Sequence, residues 1–302
     1  MLILYVDIIF LVVNMSEINT YTIYENINLN LADHAHYEFS KVSGSFVPMH
    51  WHDAVEIIYV LEGNLTVKME LISYELSAGD CIIINPDQVH STISIDGNTS
   101  LLLQIPHKEL RQICPGTVNK RFICDPFTKA RRQMDSLDSL KKLILQIQDS
   151  FSLESEFSSL LQASLLLKIV FELYSNFAHS VTATDVNKSE KNRNRLEMIF
   201  DYTKNHYNEQ IALEDVANLL HFQVNYFCRF FKQNTGMTYL NYLNDYRLSK
   251  IYHDLVVTDL PLSQLLEIHG FTNYKVFSRL FKERFQTTPK KIHKDSNMGQ
   301  TE

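Results

Sequence analysis

The sequence lacks the cysteine patterns and the positive charge that mark several classes of protein. It has 302 residues and only four cysteines, which form neither a CxxC pair nor a regular framework. Such a chain is expected to keep free thiols in a reducing cytoplasm. An excess of basic residues is also missing, because the formal net charge is -7. This charge argues against a protein that binds nucleic acid over its whole surface.

The apolar start of the chain is too short to cross a bilayer. Residues 1–13 are apolar except for Asp7, and they lack the basic beginning of a signal peptide. Two interpretations stay open: a short anchor, or translation that begins at Met15. Because polar sequence follows Met15 at once, we expect the second. Residues 1–20 are therefore treated as an uncertain N-terminal extension.

Composition and charge indicate about two globular domains of different charge. The chain has 45% hydrophobic and 21% charged residues, which is ordinary for globular proteins. Residues 193–292 hold 13 Lys and Arg against 10 Asp and Glu, whereas the rest of the chain holds 15 against 25. A mildly basic C-terminal part on an acidic body suits DNA binding by that part alone.

The clearest signal is a helical motif that occurs twice. Residues 225–232 read NYFCRFFK and residues 275–282 read KVFSRLFK, so two aromatics, an arginine and a final lysine recur at equal spacing. The aromatics lie four residues apart, on one face of a helix, while Arg229 and Arg279 fall on another face. A short helix packed through its aromatics, with an arginine on its outer side, is typical of a DNA-reading helix.

A shorter helix and a turn precede each copy of the motif. Apolar periodicity predicts these helices at 213–220 and 262–268, and Asn273 is a good N-cap for the second motif. Each pair is a helix-turn-helix unit. The units flank a predicted helix over 239–255, roughly 25 Å long at about 1.5 Å per residue. This spacer would let the units enter adjacent major grooves, which lie about 34 Å apart.

The N-terminal part has the pattern of strands. Between residues 21 and 105, short Val- and Ile-rich runs alternate with turn residues, as in a small barrel or sandwich. One face of a strand would carry two imidazoles, a carboxylate and apolar side chains: His50, His52, Glu56, Ile58 and Val60. His90 follows a second strand that starts at a glycine.

The pattern between these two regions becomes helical. Residues 135–178 carry apolar stripes that predict two helices packed as an antiparallel pair. Their broad apolar surface either contacts a second subunit or belongs to the core, and periodicity does not separate these alternatives. We expect a dimerisation segment. Residues 179–194 lose the apolar pattern and gain Ser, Thr, Asn and Lys, so we expect an interdomain linker.

The C-terminal hundred residues resemble the AraC/XylS family of transcription regulators. The resemblance is carried by Phe231, Lys232, Gly236, Tyr242, Arg247, Leu248, Gly270, Phe271, Phe277, Arg279, Phe281, Lys282, Thr288 and Pro289. Two residues depart from the family pattern: Gln286 replaces the usual glycine, and Leu266 replaces a common alanine. The resemblance implies a regulator that binds promoter DNA as a homodimer, with RNA polymerase as a further partner. It also implies activation in response to a small metabolite, most often a sugar.

The same resemblance implies which residues contact DNA. Base edges would be contacted by Val224, Asn225, Cys228 and Arg229 in the first motif, and by Tyr274, Lys275, Ser278 and Arg279 in the second. Phosphates would be contacted by Lys232, Lys282, Lys290 and Lys291. For Cys228 the alternative is a small buried hydrophobe.

The strand region resembles the cupins. The first cupin motif is matched by Gly44, His50, His52, Glu56 and Gly63, and the second, less completely, by Gly79 and His90. Asn85, Asp87 and Ser94 stand where the second motif usually has proline, glycine and asparagine. In metal-binding cupins the positions of His50, His52, Glu56 and His90 hold Fe, Mn, Ni or Zn, whereas regulatory cupins use the barrel as an effector pocket. We predict an effector site at His50, His52, Glu56, Ile58 and His90, without a metal or other cofactor.

The predicted protein is an α+β multidomain regulator of the cytoplasm rather than an enzyme. A cupin-like sensor barrel at 21–134 precedes the helical dimerisation segment at 135–178 and the linker at 179–194. An all-α domain with two helix-turn-helix units follows at 195–292. The expected partners are double-stranded DNA, the effector and a second copy of the chain, with no membrane. A metal-dependent cupin enzyme with a DNA-binding appendage is the alternative.

Overall fold

The computed structural model describes residues 27–69, 72–115 and 120–292; for residues 183–190 it describes the backbone only. The predicted N-terminal extension and Met15 lie outside these residues. The strands are β1 (His36–Val42), β2 (Ser45–His50), β3 (Ala54–Met69), β4 (Ile72–Ser77), β5 (Cys81–Ile84), β6 (His90–Ser94), β7 (Asn98–Pro106), β8 (Lys120–Phe122) and β9 (Ala178–Ser180).

Strands β1 to β7 form one curled antiparallel sheet. Its order is β1-β7-β3-β6-β2, and β4 and β5 also pair with β3. β3 is 16 residues long. Residues 54–63 pair with β7, residues 56–59 also pair with β5, residues 64–69 pair with β4, and residues 66–69 also pair with β6. The sheet therefore bends about β3 into a half-barrel. This confirms the predicted β-rich N-terminal domain of an α+β protein.

The helices begin at the end of β7. They are α1 (His107–Ile113), α2 (Arg131–Ser150), α3 (Ser158–Glu172), α4 (Ala183–His206), α5 (Leu213–Leu219), α6 (Val224–Thr235), α7 (Tyr239–Val257), α8 (Leu262–Ile268) and α9 (Tyr274–Phe285). A single π-helical turn, Leu173–Phe177, continues α3.

Helices α2 and α3 cover the outer face of the curled sheet. Ile57 and Leu103 of the sheet share one buried cluster with Leu140 and Ile144 of α2 and Ile169 of α3. The segment Ser158–Phe177 is long and apolar enough to cross a membrane by length and composition alone. Because it buries one side in this cluster, it is a core helix of the domain. The predicted helix pair is confirmed, and part of its apolar surface belongs to the core.

The predicted linker at 179–194 is largely helical. A short strand, β9, occupies its first two residues, and α4 runs without interruption from Ala183 into the DNA-binding domain. The sequence allows this helix, because residues 183–206 contain neither proline nor glycine, and Asn, Lys and Glu are tolerated in a helix. Loss of apolar periodicity in this segment therefore did not exclude a helix.

The C-terminal part consists of two helix-turn-helix units around α7, as predicted. Helices α5 and α6 form the first unit, and α8 and α9 form the second. Each unit has its own core, in which aromatic side chains from the reading helix meet those of α7. The all-α character of this domain is confirmed.

Candidate DNA-reading helices and sensor site

The two repeated helices bury their aromatic side and expose their arginines. Phe227 and Phe231 of α6 are fully buried, as are Phe277 and Phe281 of α9. The rings of α6 pack against Tyr239 of α7 with centroids 5.6 and 5.5 Å apart. The aromatics of the motif therefore fix each helix to its domain, and the opposite side is available to a ligand.

The predicted DNA contacts are exposed with two exceptions. The exposed members are Asn225, Arg229, Lys232, Tyr274, Lys275, Ser278, Arg279, Lys282, Lys290 and Lys291. Val224 and Cys228 are half-buried and pack against the aromatic core of the first unit. For Cys228 this packing favours the alternative, in which its side chain is a small apolar part of the core rather than a contact to a base.

The reading helices differ in how far their arginines are engaged. Arg279 forms an ion pair with Glu283, with 3.0 Å between its Nη1 and the carboxylate Oε1. The residue at the same distance from Arg229 is Gln233, which is neutral. Among the described residues no carboxylate pairs with Arg229, so this arginine gives up no such ion pair when it contacts DNA.

The ends of the reading helices also differ. Asn273 caps α9, because its side-chain oxygen accepts hydrogen bonds from the backbone N–H of Lys275 and Val276 at 3.0 and 3.2 Å. This confirms the predicted N-cap. α6 ends at Gly236 with φ of 75°, and α9 ends at Gln286 with φ of 51°. Gln286 therefore adopts the left-handed conformation that glycine adopts without strain.

A buried polar contact that the sequence patterns did not predict joins the two units. His269, at the end of α8, lies 2.8 Å from the Asp254 carboxylate of α7 and 3.2 Å from the hydroxyl of Tyr207. Arg247 of α7 donates to the carbonyls of Tyr207 and Glu209, both at 2.6 Å. Burial lowers the pKa of His269, although Asp254 opposes this shift. These contacts fix the second unit against the loop that precedes the first.

The sensor domain brings its predicted site residues together. One ring nitrogen from each of His50, His52 and His90 lies within 4.8 Å of the other two. Glu56 lies beside them, with its Oε2 atom 2.7 Å from Nε2 of His52 and its Oε1 atom 3.8 Å from Nε2 of His90. All four residues are buried. We call these four residues the histidine cluster.

Backbone carbonyls fix the tautomers of two cluster histidines. Nδ1 of His50 lies 2.9 Å from the carbonyl of Pro48, and Nδ1 of His90 lies 2.8 Å from the carbonyl of Gln88. A carbonyl oxygen only accepts, so each Nδ1 carries the hydrogen. In the neutral rings the lone pair is then on Nε2. Nε2 of His90 is buried and has no hydrogen-bond partner among the residues that the structure describes.

The cluster combines an ionised carboxylate with a neutral imidazole. Burial lowers the pKa of His90 to about 4, so this ring is uncharged at neutral pH. Burial would raise the pKa of Glu56, but the hydrogen bond with His52 and the nearby imidazoles lower it well below its usual range. Gln104 of β7, which the sequence patterns did not single out, donates to Glu56 at 2.9 Å.

The apolar floor below the cluster is closely packed. Ile58, predicted as a ligand contact, is buried together with Val60, Val67, Ile82 and Ile84 in the interior of the half-barrel. Its side chain stabilises this interior. The polar part of the site is therefore the histidine cluster itself.

The end of β2, which carries His50, also contacts the DNA-binding domain. Met49 and Trp51, which alternate with His50 and His52 along the chain, lie in the same buried core as Phe200 of α4. We call this contact the interdomain core. Arg193 of α4 reinforces it with an ion pair to Asp87 at 2.9 Å and a cation–π contact with Trp51 at 5.9 Å.

A second interdomain contact lies at the beginning of β2. Phe46 packs against Phe285 of α9, with ring centroids 5.6 Å apart. The guanidinium of Arg284 lies 5.1 Å from the Phe46 ring and pairs with the buried Asp245 of α7. β2 therefore contacts both helix-turn-helix units.

Comparisons with known proteins agree with this two-part architecture. A family model described as "AraC-like ligand binding domain" matches residues 34–169, and one described as "Helix-turn-helix domain" matches residues 216–295. The HTH-type transcriptional regulator YdeC of Bacillus subtilis (strain 168) is 26% identical over 257 residues, covering 81% of this chain and 85% of YdeC. The HTH-type transcriptional activator RhaS of Enterobacter sp. (strain 638) is 25% identical over 258 residues, covering 81% of this chain and 87% of RhaS. Among solved structures, ToxT from Vibrio cholerae O395 is 13% identical, covers 87% of this chain and 97% of its own, and has a TM-score of 0.45.

Proposed function

This chain belongs to the AraC/XylS family of transcriptional regulators, and we therefore propose that it activates promoters in response to a small effector bound in its N-terminal domain. The observation that carries this proposal is the pair of reading helices, each fixed by buried aromatics and each exposing an arginine. Activation implies RNA polymerase as a partner and the cytoplasm as the location. The relatives compared above are named as regulators, which supports a role other than catalysis.

The proposed DNA contact uses the exposed side of α6 and α9. Arg229 and Arg279 would pair with guanine through two parallel hydrogen bonds, and Asn225 would pair with adenine. The exposed lysines of both helices would contact phosphates, which position the protein without reading the sequence. The fixed orientation of the two units through His269 and Asp254 supports simultaneous insertion into adjacent grooves.

The proposed response to the effector runs through β2. His50 and His52 belong to the histidine cluster, while Met49 and Trp51 belong to the interdomain core. An effector that binds the cluster more tightly in one arrangement of β2 would shift the population of domain arrangements toward it. The family resemblance implies a sugar as this effector, and the buried polar groups of the cluster would have to supply its hydrogen bonds.

The exposed side of α3 is the proposed dimerisation surface. Leu160, Leu167 and Phe171 are 70%, 53% and 67% exposed, although they lie on a helix whose opposite side is buried. Their spacing of seven and four residues places them on one stripe of the helix. Large apolar side chains gathered on one stripe are typical of a contact with another protein. The proposed occupant is α3 of a second copy, because a two-fold axis would bring the same apolar stripe of both copies together.

The proposal is tested by footprinting with the purified full-length chain on the promoters that adjoin its own gene. We expect protection of two neighbouring stretches on one side of the duplex, together with lower transcription of the adjoining genes when the gene is deleted. Binding that is equal on promoter and random DNA would contradict the proposal.

A further inference from the structure

The first helix-turn-helix unit carries a polar surface beside its reading helix. Tyr226 of α6 and Arg195 of α4 form this surface, and the rings of Phe222 and Phe230 hold them in place. We infer that Tyr226 and Arg195 bind phosphates on the wall of the major groove opposite to the wall that Lys232 contacts. We call these two residues the phosphate flank. Neither belongs to the DNA contacts implied by the family resemblance, and their inferred role rests on the proposed function.

Tyr226 lies at one edge of the exposed side of α6. Its side chain is 47% exposed, whereas the neighbouring Phe227 is fully buried. At about 100° per residue, Tyr226 and Lys232 each lie about 60° from Arg229, on opposite sides of it. A helix with its side chains is about 10–12 Å wide, and the major groove is about 12 Å wide. When Arg229 points at the bases, Lys232 and Tyr226 therefore face the two phosphate backbones.

The ring of Tyr226 is fixed, while its hydroxyl remains available to a ligand. The ring meets that of Phe222 edge to face, with centroids 4.6 Å apart and planes at 88°. Phe222 in turn contacts Phe230, with centroids 5.6 Å apart. The Tyr226 hydroxyl has no hydrogen-bond partner in the described part of the chain. A phenolic hydroxyl donates a hydrogen bond, which a phosphate oxygen accepts.

Arg195 adds a positioned positive charge to the same aromatic base. Its guanidinium carbon lies 5.0 Å from the centroid of the Phe222 ring and 5.8 Å from that of Phe230. These cation–π contacts orient the planar group. Arg195 is half-buried and forms no ion pair with a carboxylate among the residues that the structure describes. Its fork of N–H donors, which matches the geometry of a phosphate, is therefore available to an anion.

The second helix-turn-helix unit has no equivalent of the phosphate flank. The residues fifty positions after the three aromatic rings of the flank are Thr272, Val276 and Leu280. None of them carries a ring that could hold an arginine, and Val276 has no polar group for a phosphate. Phosphate contacts fix the register of a helix on the duplex without reading bases. The flank therefore positions the first reading helix more firmly than the second.

The charge of Arg195 gives the first test. Fluorescence anisotropy measures the affinity of the full-length chain for the footprinted promoter and for a scrambled duplex, between about 50 and 200 mM salt. Arg195→Ala should weaken binding to both duplexes by the same factor. The slope of log affinity against log salt should become shallower by about one, as for one lost phosphate contact. Arg195→Lys keeps the positive charge and should retain the wild-type slope.

The hydroxyl of Tyr226 gives the second test. Tyr226→Phe removes this hydroxyl and keeps the ring that meets Phe222, so the packing of α6 is preserved. Affinity for both duplexes should fall about two- to tenfold, which corresponds to one net hydrogen bond. The salt slope should stay unchanged, because a neutral hydroxyl releases no counterion.

Arg131→Ala is the matched control for the loss of one charge. Arg131 is an exposed arginine of α2, in the sensor domain, and its replacement should leave both affinities and the salt slope as in the wild type. Circular dichroism melts show whether each variant is folded. A purely structural role of Arg195 would lower the melting temperature without changing the salt slope.

Each outcome decides one part of the inference. A shallower slope in Arg195→Ala, restored in Arg195→Lys, together with equal losses on both duplexes in Tyr226→Phe, supports it entirely. A wild-type slope in Arg195→Ala overturns the phosphate contact of Arg195, and wild-type affinity in Tyr226→Phe overturns that of Tyr226. A loss confined to the promoter duplex overturns the assignment to phosphates, because it indicates base readout. If the wild type binds both duplexes alike, the proposed function fails, whereas the salt slopes still decide the role of the flank.

Discussion

Replacing Arg229 by alanine should remove sequence-specific affinity without unfolding the protein. The side chain is exposed, whereas the aromatics that hold α6 are buried, so the fold should tolerate the change. A bidentate contact between arginine and guanine discriminates against other bases by about 1–3 kcal/mol. This free energy corresponds to a loss of about 5- to 150-fold in affinity for the cognate site.

The effect of Arg229→Ala can be compared with that of the equivalent change in the second helix-turn-helix unit. Arg279→Ala should cost less, because Arg279 already pairs with Glu283 at 3.0 Å and must give up that pair to contact DNA. An exposed ion pair at this spacing contributes about 0.3–0.5 kcal/mol. Glu283→Gln should therefore strengthen DNA binding, because it releases Arg279 and removes a negative charge from the surface that faces the phosphates.

Fluorescence anisotropy with a cognate and a scrambled duplex, at a fixed salt concentration, separates these effects. Arg229→Ala should lower affinity for the cognate duplex and leave affinity for the scrambled duplex nearly unchanged. Lys232→Ala is the control, because loss of a phosphate contact should weaken both duplexes alike and reduce the salt slope by about one. Equal losses on both duplexes for Arg229→Ala would refute base readout by this residue.

Four further predictions concern stability and assembly. Gln286→Gly should raise the free energy of unfolding by about 1 kcal/mol in urea titrations, because Gln286 has a φ of 51°; an unchanged or lower value would show that this conformation carries no strain. Leu160→Glu should convert a dimer into a monomer in light scattering, and an unchanged mass would exclude α3 as the interface. Trp51→Ala should destabilise the chain by about 3–5 kcal/mol, because Trp51 is buried in the interdomain core, and a loss below 1 kcal/mol would show that this contact is dispensable. Because burial lowers the pKa of His269 below 6.5, the unfolded state binds more protons, so stability should fall as the pH drops below about 6.5; His269→Gln should weaken this dependence, and an identical pH profile would refute it.

The DNA-binding domain was predictable because its signals are local. The aromatics of each reading helix lie four residues apart, so helical period and buried side follow from the sequence alone. The capping role of Asn273 likewise depends on residues two and three positions away. The exposed position of the predicted lysines follows from the same periodicity.

The contacts between distant elements were not predictable in this way. Trp51 alternates with His50 and His52 along the chain, so the period of a strand places it on the opposite face, but the sequence carries no signal that this face meets α4. Gln104 contacts Glu56 from a strand 48 residues away, and one glutamine has no distinguishing pattern. The helical conformation of the linker was not predicted, because a polar helix has the composition of a loop unless its freedom from proline and glycine is weighed.

The most direct test of base readout by the repeated helices is selection of binding sites from random duplexes with the wild type and with Arg229→Ala. We expect the wild type to enrich a motif with two elements about 10–10.5 base pairs apart. Arg229→Ala should lose the preference for guanine at one position of one element and keep the other element. Absence of an enriched motif, or an identical motif from both proteins, would contradict base readout by the repeated helices.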